Sequence, residues 1–276
     1  MFAMPFAANA ASSEQTANTN PVVYSDGQSV QISSSYTQDE LNQIRNIHNE
    51  VVKKGLVTLN ADGTITVNVN ATVLGVDEGM FEEYIKSVNN IDDIIKLGGV
   101  YFDKNFNLQV DSTDQIAKII YDQDQKMRQS TIVTPELKVT YTLPTLYAYN
   151  IARSNKSELK AFYQAIYVFR GPIVAYSATV GYWIGKVREG GAWDYKVVSG
   201  YAPYNKQWSA VQRYTTSTKT SEWFGNYNYG FTGRYLFSLS ILLAGGDGVS
   251  YIFHHTMDDQ QDKIDVTQGY NESAGV

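Results

Sequence analysis

The sequence predicts an α+β protein: a small N-terminal α+β domain followed by a mainly α-helical, Tyr/Trp-rich C-terminal domain. Three observations predict it. The first part alternates helical apolar faces with short strand–turn–strand patterns, and the second consists largely of long apolar and aromatic runs. Charge divides the same way: residues 1–130 carry 9 Lys+Arg against 17 Asp+Glu, and residues 131–276 carry 13 against 11. All four Trp and 16 of the 21 Tyr lie after residue 130. An acidic half and an aromatic half suggest two functional units, with the ligand sought in the second.

Taken in order, the chain opens on "MFAMPFAANA", an apolar run that ends in Ala-Asn-Ala before Ala11, Ser12 and Ser13. This pattern reads as a signal-peptide remnant over residues 1–10 that lacks its basic leader, and it implies a secreted, extracellular protein. Residues 11–35 read as a disordered linker. The small domain is assigned to residues 36–110. "YTQDELNQIRNIHNEVVKKGL" predicts a helix with Thr37 and Glu40 as a capping box. Leu41, Ile44, Ile47 and Val51 form its apolar face, and Gly55 stops it. "LVTLNADGTITVNVN" alternates around Asp62-Gly63 and predicts a hairpin. Two short helices are expected near Glu78–Val88 and Ile91–Leu97, ended by Gly98-Gly99.

The second domain is assigned to residues 112–276. Ser112 and Gln115 would cap a helix with Ile116, Ile119 and Ile120 inward. "TLYAYNIA" and "SELKAFYQAIYVF" read as separate helices, the latter capped by Asn155 and Glu158. "GPIVAYSATVGYWIGKVREGG" follows a Gly171-Pro172 break. The run from Phe162 carries only Arg170 before Lys186, a length that would admit a membrane helix. The break and the scattered Tyr, Ser and Thr favour a buried hairpin instead, so no stable membrane span is expected.

No cysteine is present, which excludes disulfides and thiolate zinc sites. Serine-hydrolase elbows, H-E-x-x-H and phosphate-binding glycine loops are absent from the sequence. Chemistry must come from three clusters. In "GGAWDYK", Trp193 offers a face, and Asp194 and Lys196 would share one side of a strand, although a helix terminus and corner pinned by the tryptophan is the commoner reading. In "FGNYNYGFTG", Gly225, Gly230 and Gly233 accompany Asn226, Asn228 and Tyr229, which reads as a loop that either packs a tight corner or builds a site. In "YIFHHTMDDQQDKID", one histidine, His255, could titrate near neutral pH beside Asp258, Asp259, Asp262 and Asp265. Those aspartates could hold a divalent cation. Taken alone, they read more simply as a solvated acidic face.

The three clusters, in this order, resemble the polymorphic toxin type 44 domain family over roughly residues 112–276. The matching positions are Trp193, Asp194, Lys196, Gly225, Asn226, Tyr229, Gly230, Gly233, Asp258, Asp259 and Asp262. The resemblance implies a secreted bacterial toxin or effector of interbacterial competition, which a cognate immunity protein would neutralise. From the resemblance and the residue types together, the leading expectation is a hydrolase acting on a polymer, peptidoglycan or nucleic acid. Asp194, Asp258, Asp259 and His255 are the catalytic candidates. Trp193, Lys196, Asn226, Asn228, Tyr229 and Asp262 are the substrate-binding candidates. Two other classes compete: a non-catalytic secreted module that grips glycans or a partner with its tyrosines, and a pore-former built on residues 162–187.

Overall fold

A computed structural model describes residues 22–23, 29–30, 32, 35–130, 142–248 and 260–276. The proposed signal remnant and most of the linker lie outside the described residues, as do His255, Asp258 and Asp259. The architecture is α+β, with small sheets in the N-terminal half and a helical C-terminal part.

The N-terminal unit follows a two-residue hairpin, β1 (Val22–Val23) and β2 (Ser29–Val30). Helix α1 (Gln38–Lys53) begins at the expected capping box, where the Thr37 hydroxyl accepts from Glu40 N at 3.3 Å and the Glu40 carboxylate accepts from Thr37 N at 2.7 Å. Its buried face is Leu41, Ile44, Ile47 and Val51, as the spacing requires. The Asp62-Gly63 hairpin forms between β3 (Val57–Leu59) and β4 (Ile65–Val67). A single turn, α2 (Ala71–Leu74), leads to α3 (Glu78–Ile95). The two short helices expected here are one, because Tyr84, Val88, Ile91 and Ile95 continue a single buried stripe across the presumed gap. A second hairpin, β5 (Val100–Phe102) and β6 (Leu108–Val110), closes the unit.

His48 is a core residue of this unit. Its ring nitrogens meet the Tyr84 hydroxyl at 3.2 Å and the Phe106 carbonyl at 3.0 Å, and burial pushes its pKa down.

Helix α4 (Thr113–Ser130) carries the Ser112/Gln115 cap and packs along α5 (Ala148–Val187). The two helices expected before Gly171 are one continuous helix. Asn155 and Glu158 are therefore not caps: they sit mid-helix, where Asn155 binds Tyr195 and Asn228, and Glu158 accepts from the Tyr182 hydroxyl. The break at Gly171-Pro172 is real; Gly171 has φ 74°, ψ −178°. The N-terminal unit reaches this break. Arg45 donates to the Tyr167 and Val168 carbonyls at 3.1 and 2.7 Å; the helical partner of Val168 would be Pro172, which has no N–H to offer. Among the described residues, no helix is long and apolar enough to cross a membrane.

A three-stranded sheet has the order β7-β8-β9: β7 (Thr145–Leu146) parallel to β8 (Gln207–Val211), and β9 (Thr216–Thr220) antiparallel to it. Strand β9 runs straight into α6 (Ser221–Gly233), which is followed by α7 (Leu239–Gly248) and α8 (Gln260–Glu272).

Helix α6 is central, and it corrects the loop expected for "GNYNYGFTG". Three glycines and two asparagines disfavour a helix locally. Here they are helical because packing outweighs propensity: Trp223, Phe224, Tyr227 and Phe231 are buried, and Thr220 caps the start by accepting from Trp223 N. Each glycine removes a side chain where a neighbour presses in. A Cβ at Gly230 would lie 2.0 Å from the Val266 carbonyl oxygen of α8, and one at Gly269 of α8 would lie 1.9 Å from the Tyr227 oxygen. The two helices therefore touch backbone to backbone.

Lys156 of α5 is buried and donates to the Ser273 carbonyl and hydroxyl at 3.0 and 2.8 Å. Loss of solvation, reinforced by Lys160, Arg234 and Arg213, lowers its pKa to about 8. Above that value the folded chain releases a proton that the unfolded chain still holds, so stability rises with pH from about 8 to about 9.5, before unfolded tyrosines ionise. Lys156→Met is expected to remove this rise, which melting temperatures measured at the two ends of the window would check.

Candidate functional site

"GGAWDYK" forms a turn-rich corner, the commoner of its two readings, and not the strand that would have aligned Asp194 with Lys196. Gly190 takes φ 75°, and the buried Asp194 carboxylate accepts from Gly190 N at 2.9 Å. Trp193 is buried edge-on against Tyr182, with ring centroids 6.3 Å apart. Helix α4 holds the corner from outside. Asp124 accepts from Ala192 N at 3.2 Å and from Lys186 Nζ at 3.1 Å, while Gln125 and Arg128 donate to the Gly190 and Gly191 carbonyls. The corner delivers Lys196 onto α6, where its aliphatic stem packs against Gly225. A Cβ there would lie 3.3 Å from Lys196 Cγ.

The next residue, Asn226, donates to Asp262 of α8 at 2.6 Å. Asp265, one turn further along α8, is buried and accepts from Gln261 Nε2 at 2.7 Å. Burial raises its pKa, with the Asp262 and Glu222 charges adding to the effect and Lys219 opposing it. The solvated acidic face expected from the sequence therefore does not hold for Asp265. Glu222 comes from the first turn of α6 and Lys219 from β9, where its ammonium lies 5.0 Å from the Trp223 ring. Lys196, Glu222, Asn226, Asp262 and Asp265 thus converge where the start of α8 meets the first two turns of α6. Asp258 and Asp259 immediately precede α8 in sequence.

The remaining candidates point elsewhere. Asn228 is buried and accepts from Asn155 Nδ2 at 2.9 Å. Its own Nδ2 is the one buried side-chain nitrogen or oxygen without a partner among the described residues. Tyr229 lies against Trp183, centroids 4.9 Å apart, and its hydroxyl donates to the Leu242 carbonyl. Both residues belong to the packing of α6 on α5 and α7. Glu222 and Lys219 were missed by sequence reasoning; the signal available was their place around Thr220, an N-cap candidate leading into the aromatic run.

Among the described residues, no three acidic or histidine side chains stand close enough to hold a metal ion. What the described cluster offers is carboxylates in unlike environments, one bound by an amide and one buried beside a lysine.

The family model described as bacterial toxin 44 matches residues 182–274. The match takes in the Gly190 corner, α6, α7 and the whole of α8, and it begins well inside α5, later than the start expected from the motifs. The C-terminal part is therefore similar to a bacterial toxin domain. No curated protein and no solved structure matches the chain.

Proposed function

We propose that the chain is a secreted bacterial toxin whose C-terminal part hydrolyses a polymer at the junction of α6 and α8. One observation carries this reading. The three separated segments that resemble the toxin family meet at two adjacent residues, with Lys196 packed on Gly225 and Asp262 bonded to Asn226. Packing alone would bring apolar positions together; here a lysine, an amide and a carboxylate converge.

In this reading Asp262, with Asp258, Asp259 and His255 just before it in sequence, supplies the acid–base pair or the ligands of a divalent cation. Asn226 fixes the Asp262 carboxylate, and Lys196 stabilises negative charge that develops on the substrate. Burial raises the pKa of Asp265, the direction that suits the role of acid. Asp194 acts at one remove, fixing the corner that places Lys196. A cognate immunity protein would protect the producing cell by covering this junction.

The test is expression of the full chain in a bacterial host, directed to the cytoplasm or to the periplasm. Growth arrest from one compartment is the expected result and tells on which side of the membrane the polymer lies. Undisturbed growth from both would overturn the toxin reading and favour the non-catalytic binding module.

A further inference from the structure

The C-terminal end of α8 gathers four cations from three places in the fold. Lys156 and Lys160 of α5 donate to the Ser273 and Val276 carbonyls. Arg213, in the β8–β9 turn, donates to the Glu272 and Ala274 carbonyls, both at 2.7 Å. Arg234, just after α6, donates to the Tyr270 carbonyl at 3.2 Å. Among the described residues, none of these four cations has a side-chain carboxylate within salt-bridge distance. Glu272 is the acidic side chain at this helix end. It is buried and occupied by the Tyr227 hydroxyl, Gln268 Nε2 and Arg213 N.

Cations at a helix C-terminus are ordinarily explained as partners of its dipole, but that dipole amounts to roughly half a negative charge. Four cations against that and Glu272 leave an excess of roughly +2.5. Arg153, exposed on the same side of α5 as Lys156 and Lys160 by helical spacing, adds one more. Aromatic faces border the cations. The Arg213 guanidinium lies 5.1 Å from the Tyr214 ring and 5.8 Å from the Tyr149 ring, and Arg234 lies 4.3 Å from the Tyr270 ring. Tyr214 is 77% exposed and Tyr147, which follows β7 beside β8, is 57% exposed. Capping a helix requires neither an excess of charge nor uncovered tyrosines beside it.

We infer that this face grips single-stranded nucleic acid: Lys160, Arg153, Arg213 and Arg234 meet phosphates, and Tyr147 and Tyr214 stack on unpaired bases. Helix α8 then has two poles. The acidic junction lies at its start and the basic grip about 18 Å away at its end, a distance a few nucleotides span. That the gripped strand is also the polymer cut at the junction rests on the function proposed above; the grip itself does not.

The experiment is fluorescence anisotropy of the full chain with a labelled oligothymidylate of about 15 nucleotides, comparable to the footprint of other single-strand grips. Binding is expected at about 50 mM salt and should weaken steeply towards about 200 mM. Tyr147→Ala and Tyr214→Ala alter exposed side chains, so folding is unaffected, and each is expected to weaken binding by roughly tenfold. Lys160→Gln should reduce the salt dependence, whereas Lys53→Gln in the N-terminal unit should change nothing. The inference is overturned if no binding occurs at low salt, if the tyrosine variants bind as tightly as wild type, or if polyglutamate competes as well as unlabelled oligonucleotide. A chain that fails to bind yet still arrests growth would sink the grip and leave the toxin reading standing.

Discussion

Gly269→Ala is expected to destabilise the C-terminal part by about 3 kcal/mol or more, because the added methyl meets backbone that no rotamer change can move. Its Cβ would lie 1.9 Å from the Tyr227 oxygen and 2.7 Å from the Tyr227 carbonyl carbon, so α8 and α6 must separate along their shared contact. Gly230→Ala attacks the same seam from the other side, with Val266 O at 2.0 Å. Separation also pulls Asp262 from Asn226, so any toxicity should disappear with stability. Gly225→Ala in the same helix is the internal control. It faces the flexible Lys196 stem at 3.3 Å and gains about 1 kcal/mol of helix propensity, so it should be close to neutral for stability. Urea unfolding of the three variants checks the contrast. Equal stabilities would mean that the helices are not in backbone contact.

The second large effect is expected at Asp124, outside the span matched by the toxin family. Asp124→Ala leaves Lys186 largely buried, with only Glu158 at 3.8 Å to balance it, and strips the acceptor from Ala192 N. Removing one partner of a buried pair typically costs about 3–5 kcal/mol. The double variant Asp124→Leu with Lys186→Met should recover much of that loss, because the charge left behind is the main penalty. If Asp124→Ala costs less than about 1 kcal/mol, in the range of an exposed pair, then α4 does not hold the Gly190 corner. The result also bears on the extent of the folding unit. Asp124, Gln125, Arg128, Asn155 and Lys156 all complete polar groups within residues 182–274.

Local signals in the sequence carried much of the N-terminal unit and the break in α5. The Thr37/Glu40 cap, the Asp62-Gly63 turn and the Gly171-Pro172 break each depend on a few neighbouring residues, and each stands where it was expected. Helix α6 was not legible, because its glycines serve contacts distant in sequence, Gly225 with Lys196, Gly230 with Val266 and Gly233 with Trp183, and local propensity argues against them. Clustering of the three motif segments could be anticipated as a group but not as a geometry. Nothing local distinguishes Asn226, which reaches Asp262, from Asn228, which turns into α5. The burial of Asp265 depends likewise on how closely α8 settles on α6, a distance set by Gly230 and Gly269.

The most direct measurement is growth of a host expressing the full chain with Asp262→Asn, beside wild type at matched expression and matched melting temperature. The α6–α8 site predicts that wild type arrests growth and that the variant, which keeps its shape and its contact with Asn226, does not. A variant that arrests growth as strongly as wild type would contradict the assignment of the site.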